Sequence, residues 1–320
     1  MILTHNYLCL PQGTASVAEI FTALTTKTEA EIRKTIDITG VETLSVSGAK
    51  KFSAFVTAAF NSIAEQSKEA FDAIDAILVV SQSYDRRIPT VSTQLQGQIN
   101  SAADTFCMDL TDGCAGYIKA CALASMLLGQ GRKKVLIVAG DLNSLMTTEA
   151  DVSTRILFGD GISVSIFEQS QDPFNYQLFN DGANAKHIVC QVDSPVMEMN
   201  GFEVFRFTRN VVPNLIKSYL TQHQLSKEDF DYVGYHQASH LIVSTLSKAT
   251  GFGNTENKDF NCGDVGNLGA GSISAWIAKT NIQKATRSRM MAIGYGAGLS
   301  WGLCDFYLQL KSNEVVYVKD

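Results

Sequence analysis

The order of apolar and polar runs in this chain occurs twice, and that repetition restricts the available folds more than any single motif does. In the first half a strand over residues 2–10 closes at Pro11, helical patterns cover residues 18–21 and 30–32, and a turn falls near Thr39-Gly40-Val41. Residues 52–70 place Phe52, Phe55, Val56, Ala59, Phe60 and Ile63 at helical spacing. The run 76–80 reads as a buried strand opening into a polar loop, 81–87, and Pro89 begins a helical stretch to about Ile99. A small-residue helix at Cys114 and strands over 134–140 and 161–167 complete the unit. The second half follows the same order. A helix over 202–222 precedes a strand, 230–235, that opens into His236-Gln237-Ala238-Ser239-His240. Gly266-Asn267-Leu268-Gly269-Ala270-Gly271 then leads into a helix from Ser272 to about Lys284, and strands over 289–294 and 301–310 close the half. Cys114 lies 21 positions before Val135, and Asn267 lies 23 before Met290. Two α/β units of about 150 residues predict a duplication, with halves 1–168 and 169–320. In such sheets the loops after the strands gather at one edge, where ligands bind.

The stretch from Thr111 to Tyr117 is the chemical centre of this reading. Thr111, Asp112 and Gly113 supply cap and turn residues, and the helix after them is apolar all round, so it is expected to be buried. Cys114 would then sit in the first turn, where unpaired amides and the helix dipole favour a thiolate nucleophile. A free cysteine is also among the residues most often buried and inert, so the sulfur alone decides nothing. His236 directly follows a strand, and Asn267 heads a helix where it also reads as a cap. Together a histidine and an asparagine can donate hydrogen bonds to one carbonyl oxygen, as a thioester enolate requires. The glycine turn 294–298 lets backbone approach a ligand, and the Ala297 amide can pair with that of Cys114 as an oxyanion site; a plain hairpin is the alternative.

Composition excludes several classes. The net charge of −6 argues against nucleic acid as a partner. No apolar run reaches membrane-spanning length, and the first residues lack the basic region of a signal peptide. Seven cysteines in no disulfide or zinc-ribbon spacing suit a reducing cytoplasm. His236 and His240 have the spacing of a zinc-protease pair, but Gln237 stands where the glutamate base belongs, and no metal site is expected. Gly298-Leu299-Ser300-Trp301-Gly302 fits the nucleophile-elbow pattern, yet a β-like run follows it instead of a helix.

Cys114 in Asp-Gly-Cys-Ala-Gly-Tyr, His236 in Tyr-His-Gln-Ala-Ser and Asn267 in Gly-Asn-Leu-Gly-Ala-Gly-Ser resemble the Cys–His–Asn triad of β-ketoacyl-acyl-carrier-protein synthase III. Phe158-Gly159-Asp160-Gly161, Asn200-Gly201-Phe202-Glu203 and the segment 296–302 resemble its structural marks, so the likeness runs along nearly the whole chain. The resemblance implies an α/β thiolase-like fold, two βαβαβαββ halves in five layers (αβαβα), and a cytoplasmic homodimer. It further implies that Cys114 takes an acyl group from a phosphopantetheine thioester, with no cofactor. His236 and Asn267 then hold malonyl on an acyl carrier protein for decarboxylative condensation. Arg206 and Lys248 match positions that dock the carrier protein, and Ile88 would reach across to gate the partner's acyl pocket. A Trp and an Arg that usually sandwich the adenine of coenzyme A are missing before Thr39-Gly40. Leu241 replaces a usually basic residue, and the segment 151–153 lacks a further arginine. A carrier-borne acyl donor is therefore expected over coenzyme A. A thiolase would need a second cysteine where Gly294 stands. Two other readings stay open: transfer of the acyl group from Cys114 to an alcohol, amine or thiol, and a non-catalytic carrier-binding subunit. Alkylation of Cys114 by iodoacetamide is expected to separate enzyme from binding module.

Overall fold

The computed structural model describes residues 1–48, 51–67, 69–194, 196–252 and 259–319. The chain opens with β1 (Ile2–Pro11), β2 (Thr14–Ser16), α1 (Val17–Leu24), α2 (Glu29–Thr39), β3 (Thr43–Ser45) and α3 (Phe52–Gln66). There follow β4 (Ala76–Val80), α4 (Val91–Gln98), β5 (Phe106–Leu110), α5 (Gly116–Gly129), β6 (Lys134–Leu142), α6 (Val152–Arg155) and β7 (Asp160–Glu168). The second half carries β8 (Asn175–Asn180), β9 (Ile188–Cys190), β10 (Met197–Met199), α7 (Gly201–His223), β11 (Tyr232–Tyr235) and α8 (His240–Thr250). It ends with α9 (Ser272–Lys279), β12 (Ser288–Gly296) and β13 (Ser300–Val318).

Strand alternation shows how the layers stack. Ala76, Leu78 and Val80 of β4 point to a core shared with α5 and α9, whereas Ile77 and Val79 face α3 and α4. On β12, Met290 and Ala292 join that same central core while Met291 and Ile293 face α7 and α8. The arrangement is helices, sheet, the α5/α9 pair, sheet, helices: five layers, as the resemblance implied. The first-half strands run β5-β4-β6-β7-β1, with β7 antiparallel to both neighbours, and the second-half strands run β11-β12-β13-β8. Both belong to one hydrogen-bonded sheet, because β13 pairs antiparallel with β12 and β8 over its first part and parallel with β1 from Tyr307 to Val318.

Several elements differ from the sequence reading for local reasons. Helix α4 starts at Val91 instead of Pro89, because Thr90 caps it and Asp109 accepts from the amides of Val91 and Ser92 (2.7 and 2.9 Å). Helix α9 stops at Lys279, not Lys284; Thr280 turns extended, and the Ala285 amide bonds to Leu310 O. Strand β13 runs well past Leu310 because β1 supplies it with a partner. Helix α8 was not foreseen, since its β-branched start follows a polar loop; Ser239 caps it by accepting from Ile242 N. The second half lacks a counterpart of β5 among the described residues, for Gly263 and Val265 instead accept from the amides of Glu42 and Ser45. No helix among the described residues is long and apolar enough to cross a membrane.

Candidate active site

Cys114 lies two residues before α5, in the turn that joins it to β5, and not in the first helical turn. Ala115 occupies the cap position with no side-chain capping bond, and Gly116 N donates to Gly113 O at 2.7 Å. The sulfur faces the β12–β13 hairpin. A Cβ built on Gly296 would stand 2.7 Å from Cys114 Cβ and 3.1 Å from its Sγ, so only glycine admits this approach. The backbone amides of Cys114 and Ala297 both lie against the sulfur. Their help does not produce a thiolate. Burial, and then the charges of Asp141 and Asp112, push the thiol up to about 12, which reverses the helix-dipole expectation.

His236 follows β11 directly and is buried. Burial lowers its pKa to about 3, so the imidazole is neutral. Its Nδ1 lies 2.6 Å from Ser272 Oγ, and that oxygen also accepts from Gln237 N at 3.2 Å. With the backbone amide donating to Ser272, the hydroxyl proton is free to point at Nδ1. When the hydroxyl donates to Nδ1, the ring proton sits on Nε2, as a donor. Tyr295 OH donates to His236 O (2.7 Å) and its ring meets the imidazole edge-on at 5.2 Å, which fixes the ring further.

Asn267 is held as firmly. Its Oδ1 accepts from Gly269 N at 2.9 Å, which turns the Nδ2 donors away from that turn. Its backbone bridges to Phe158: Asn267 N donates to Leu157 O, and Gly159 N donates to Asn267 O. This gives the Phe-Gly-Asp-Gly segment its job. A Cβ on Gly159 would stand 1.8 Å from Val265 O, and Asp160 accepts from Ser144 N, Ser144 Oγ and Ser47 N. Asn143 Nδ2 clamps the same junction from below, on Gly159 O (2.6 Å) and Asn267 O (3.3 Å).

Cys114, His236, Asn267 and Ala297 all line one cavity of about 200 Å³. Its other walls are mostly apolar, with Phe158, Ile188, Met197, Met199 and Phe205 among them, and no charged side chain lines it among the described residues. At its edge Ile38 and Leu241 are exposed aliphatics (46% and 44%), at the places where the sequence reading noted that usual basic residues are missing. A neighbouring cavity shares Thr39 and Leu157 with it and includes Ser153, with Lys27 as its basic residue. Ile88, Arg206 and Lys248 stand outside the cavity. Ile88 is 84% exposed, Arg206 pairs with Glu203 at 2.5 Å on α7, and Lys248 is exposed in the last turn of α8. His240 stacks on Phe260, facing a different partner from His236, and Ser300 Oγ donates to Ala297 O in the hairpin. Ser272 and Asn143 were not foreseen as parts of the site.

The chain matches the family described as 3-oxoacyl-[acyl-carrier-protein] synthase III over residues 108–182, and that family's C-terminal part over 220–306. It is 30% identical over 249 residues to the β-ketoacyl-[acyl-carrier-protein] synthase III of Synechocystis, covering 71% of this chain and 74% of that one. Among solved structures, a 3-oxoacyl-(acyl-carrier-protein) synthase from Burkholderia xenovorans superposes with a TM-score of 0.89 at 24% identity, over 99% of this chain and 96% of that one. The priming β-ketosynthase of the R1128 polyketide pathway superposes at 0.81 and 22% identity, over 96% and 97%.

Proposed function

The chain belongs to the 3-oxoacyl-[acyl-carrier-protein] synthase III family of acyltransferases, and from that membership we propose that it condenses an acyl group held on Cys114 with malonyl-acyl-carrier protein. The observation that carries the reading is the meeting of Cys114, His236, Asn267 and the Ala297 amide around one cavity. In the first half-reaction Cys114 Sγ attacks the donor thioester, and the amides of Cys114 and Ala297 stabilise the oxyanion. The carbon–sulfur bond to the donor breaks, and the thiol proton of Cys114 leaves on the released pantetheine. Malonyl then enters with its thioester oxygen between His236 Nε2–H and Asn267 Nδ2–H. Loss of carbon dioxide leaves an enolate that those donors stabilise. Its carbon attacks the acyl-cysteine, giving a β-ketoacyl-carrier product, and the freed sulfur regains a proton. A neutral His236 suits this role, since burial keeps it a hydrogen-bond donor without a charge.

A carrier protein is the better-supported acyl donor. The aliphatic rim of Ile38 and Leu241 offers nothing to the phosphates of coenzyme A. Phe202, Arg206 and Arg209 share a face of α7, and Lys248 lies two turns beyond Leu241 on α8, so an acidic carrier would meet both charge and apolar surface. The reading includes a cytoplasmic homodimer in which Ile88 approaches the partner's cavity. Strand β5 ends the sheet with its outer edge unpaired among the described residues, a natural seam for a second copy. Intact-mass analysis after mixing with acyl-carrier protein tests acylation, and added malonyl-carrier protein tests condensation. An acyl adduct without β-ketoacyl product would replace condensation by simple acyl transfer; no adduct with any acyl thioester would leave only a binding role.

A further inference from the structure

Besides Asn267, the cavity is lined by two carboxamides that the reaction above does not use, Gln82 and Asn143. Gln82 and Asn143 leave the parallel strands β4 and β6 at the same edge, two residues past Val80 and one past Leu142. Gln82 packs over the residue before the nucleophile: a Cβ on Gly113 would meet its Nε2 at 3.2 Å, beside Ala297 Cβ at 3.1 Å. Gln82 is exposed at the mouth of the cavity; its side-chain amide makes no hydrogen bond among the described residues, and its backbone N–H is spent on Asp141. Asn143 is 99% buried (1% exposed), and both its bonds are donated by Nδ2, so its Oδ1 accepts nothing among the described residues while the residue lines the cavity. An unsubstituted alkyl chain beside that carbonyl would shut it off from water and offer it no donor.

Resting on the proposed acylation of Cys114, we infer that the acyl group it accepts is short and carries a neutral hydroxyl on its second or third carbon. The hydroxyl would donate to Asn143 Oδ1 and accept from Gln82 Nε2. No lysine or arginine lines the cavity among the described residues, so a carboxylate at that place would find no counterion. His236 and Asn267 remain free for the malonyl carbonyl.

The test compares butyryl-, 2-hydroxybutyryl- and 3-hydroxybutyryl-pantetheine as donors to the whole protein, with the rate of adduct formation on Cys114 read by intact mass. One hydroxylated donor is expected to react about tenfold faster than butyryl, the worth of one to two hydrogen bonds. Gln82→Met is expected to shrink that ratio severalfold, and Gln82→Met with Asn143→Leu to invert it. Because Asn143 also clamps the Asn267 loop, the ratio between donors is the readout, not the absolute rate, and Gln82→Met alone carries the test should the double variant not fold. Equal or faster reaction of butyryl in the native chain overturns the inference and leaves the family reading standing. Failure of all three short donors on a protein folded by circular dichroism overturns this inference, and failure of longer acyl groups delivered on acyl-carrier protein as well overturns the acyl-enzyme reading.

Discussion

Helices α5 and α9 occupy equivalent places in the two halves, side by side in the central layer, yet their leading ends are built for opposite purposes. Ahead of α5 stands Cys114, whose sulfur no hydroxyl or carboxylate holds among the described residues, lying against two amides with its proton retained by burial. Ahead of α9 stand groups that are tied down several times over: Asn267 through Gly269, Leu157, Gly159 and Asn143, and Ser272 through His236 and Gln237. Neither helix has a side-chain cap. The same frame thus presents one atom left free to form bonds and, opposite it, donors that are fixed before substrate arrives. An attacking atom must move by a bond length, whereas donors stabilise a developing charge best when they need not reorganise.

The sharpest break of this contrast is Cys114→Ala, which is expected to abolish the acyl adduct entirely in the intact-mass assay. His236→Ala and Asn267→Ala attack the other side. Each is expected to lower condensation by about 10²–10³-fold, the loss typical of one aimed donor, while the acyl adduct on Cys114 still forms. A parallel loss of adduct would mean that the two sides do not divide the labour. Ser272→Ala is expected to cost about tenfold in condensation, one hydrogen bond's worth, with Ser272→Thr restoring most of it. A shift of the pH–rate profile should accompany the loss, since the imidazole tautomer is no longer set from Nδ1.

The sulfur itself offers the mildest probe. A thiol pushed up to about 12 is protonated throughout neutral pH, and only the thiolate alkylates. The rate of Cys114 modification by iodoacetamide should therefore climb about tenfold per pH unit from 7 to beyond 9. At pH 7 the exposed Cys190 is expected to be modified first. The alkylation expected to separate enzyme from binding module is therefore read from the slope of its rate against pH, not from its rate at pH 7. Peptide mapping of the labelled protein distinguishes the two sulfurs.

The division of labour also explains what could be read in advance. Cys114, His236, Asn267 and Ala297 were legible because each falls at the end of a strand or the head of a helix within recognisable neighbours. The positions of β1, β4, β6, β7, β11 and β12 along the chain and the buried character of α5 were legible from unbroken apolar runs, whereas β5 and β8 were not read as strands. Ser272 and Asn143 were not. A serine starting a helix and an asparagine ending a strand have many ordinary uses, and their meaning comes from contacts 36 and 124 positions away. The protonation of Cys114 was misread because dipole and amides are visible in local sequence, whereas burial and the distant Asp141 are not. Strand β13 was read short for a related reason: its last residues gain their partner from the opposite end of the chain.

That long terminal strand has a mechanical consequence. Because β13 is laced to β12 and β8 at one end and to β1 at the other, the molecule has no crease along which its lobes can swing apart without tearing a ladder of main-chain bonds. The small β9–β10 ladder, whose Ile188, Met197 and Met199 wall the chamber from one side, is held outside that sheet.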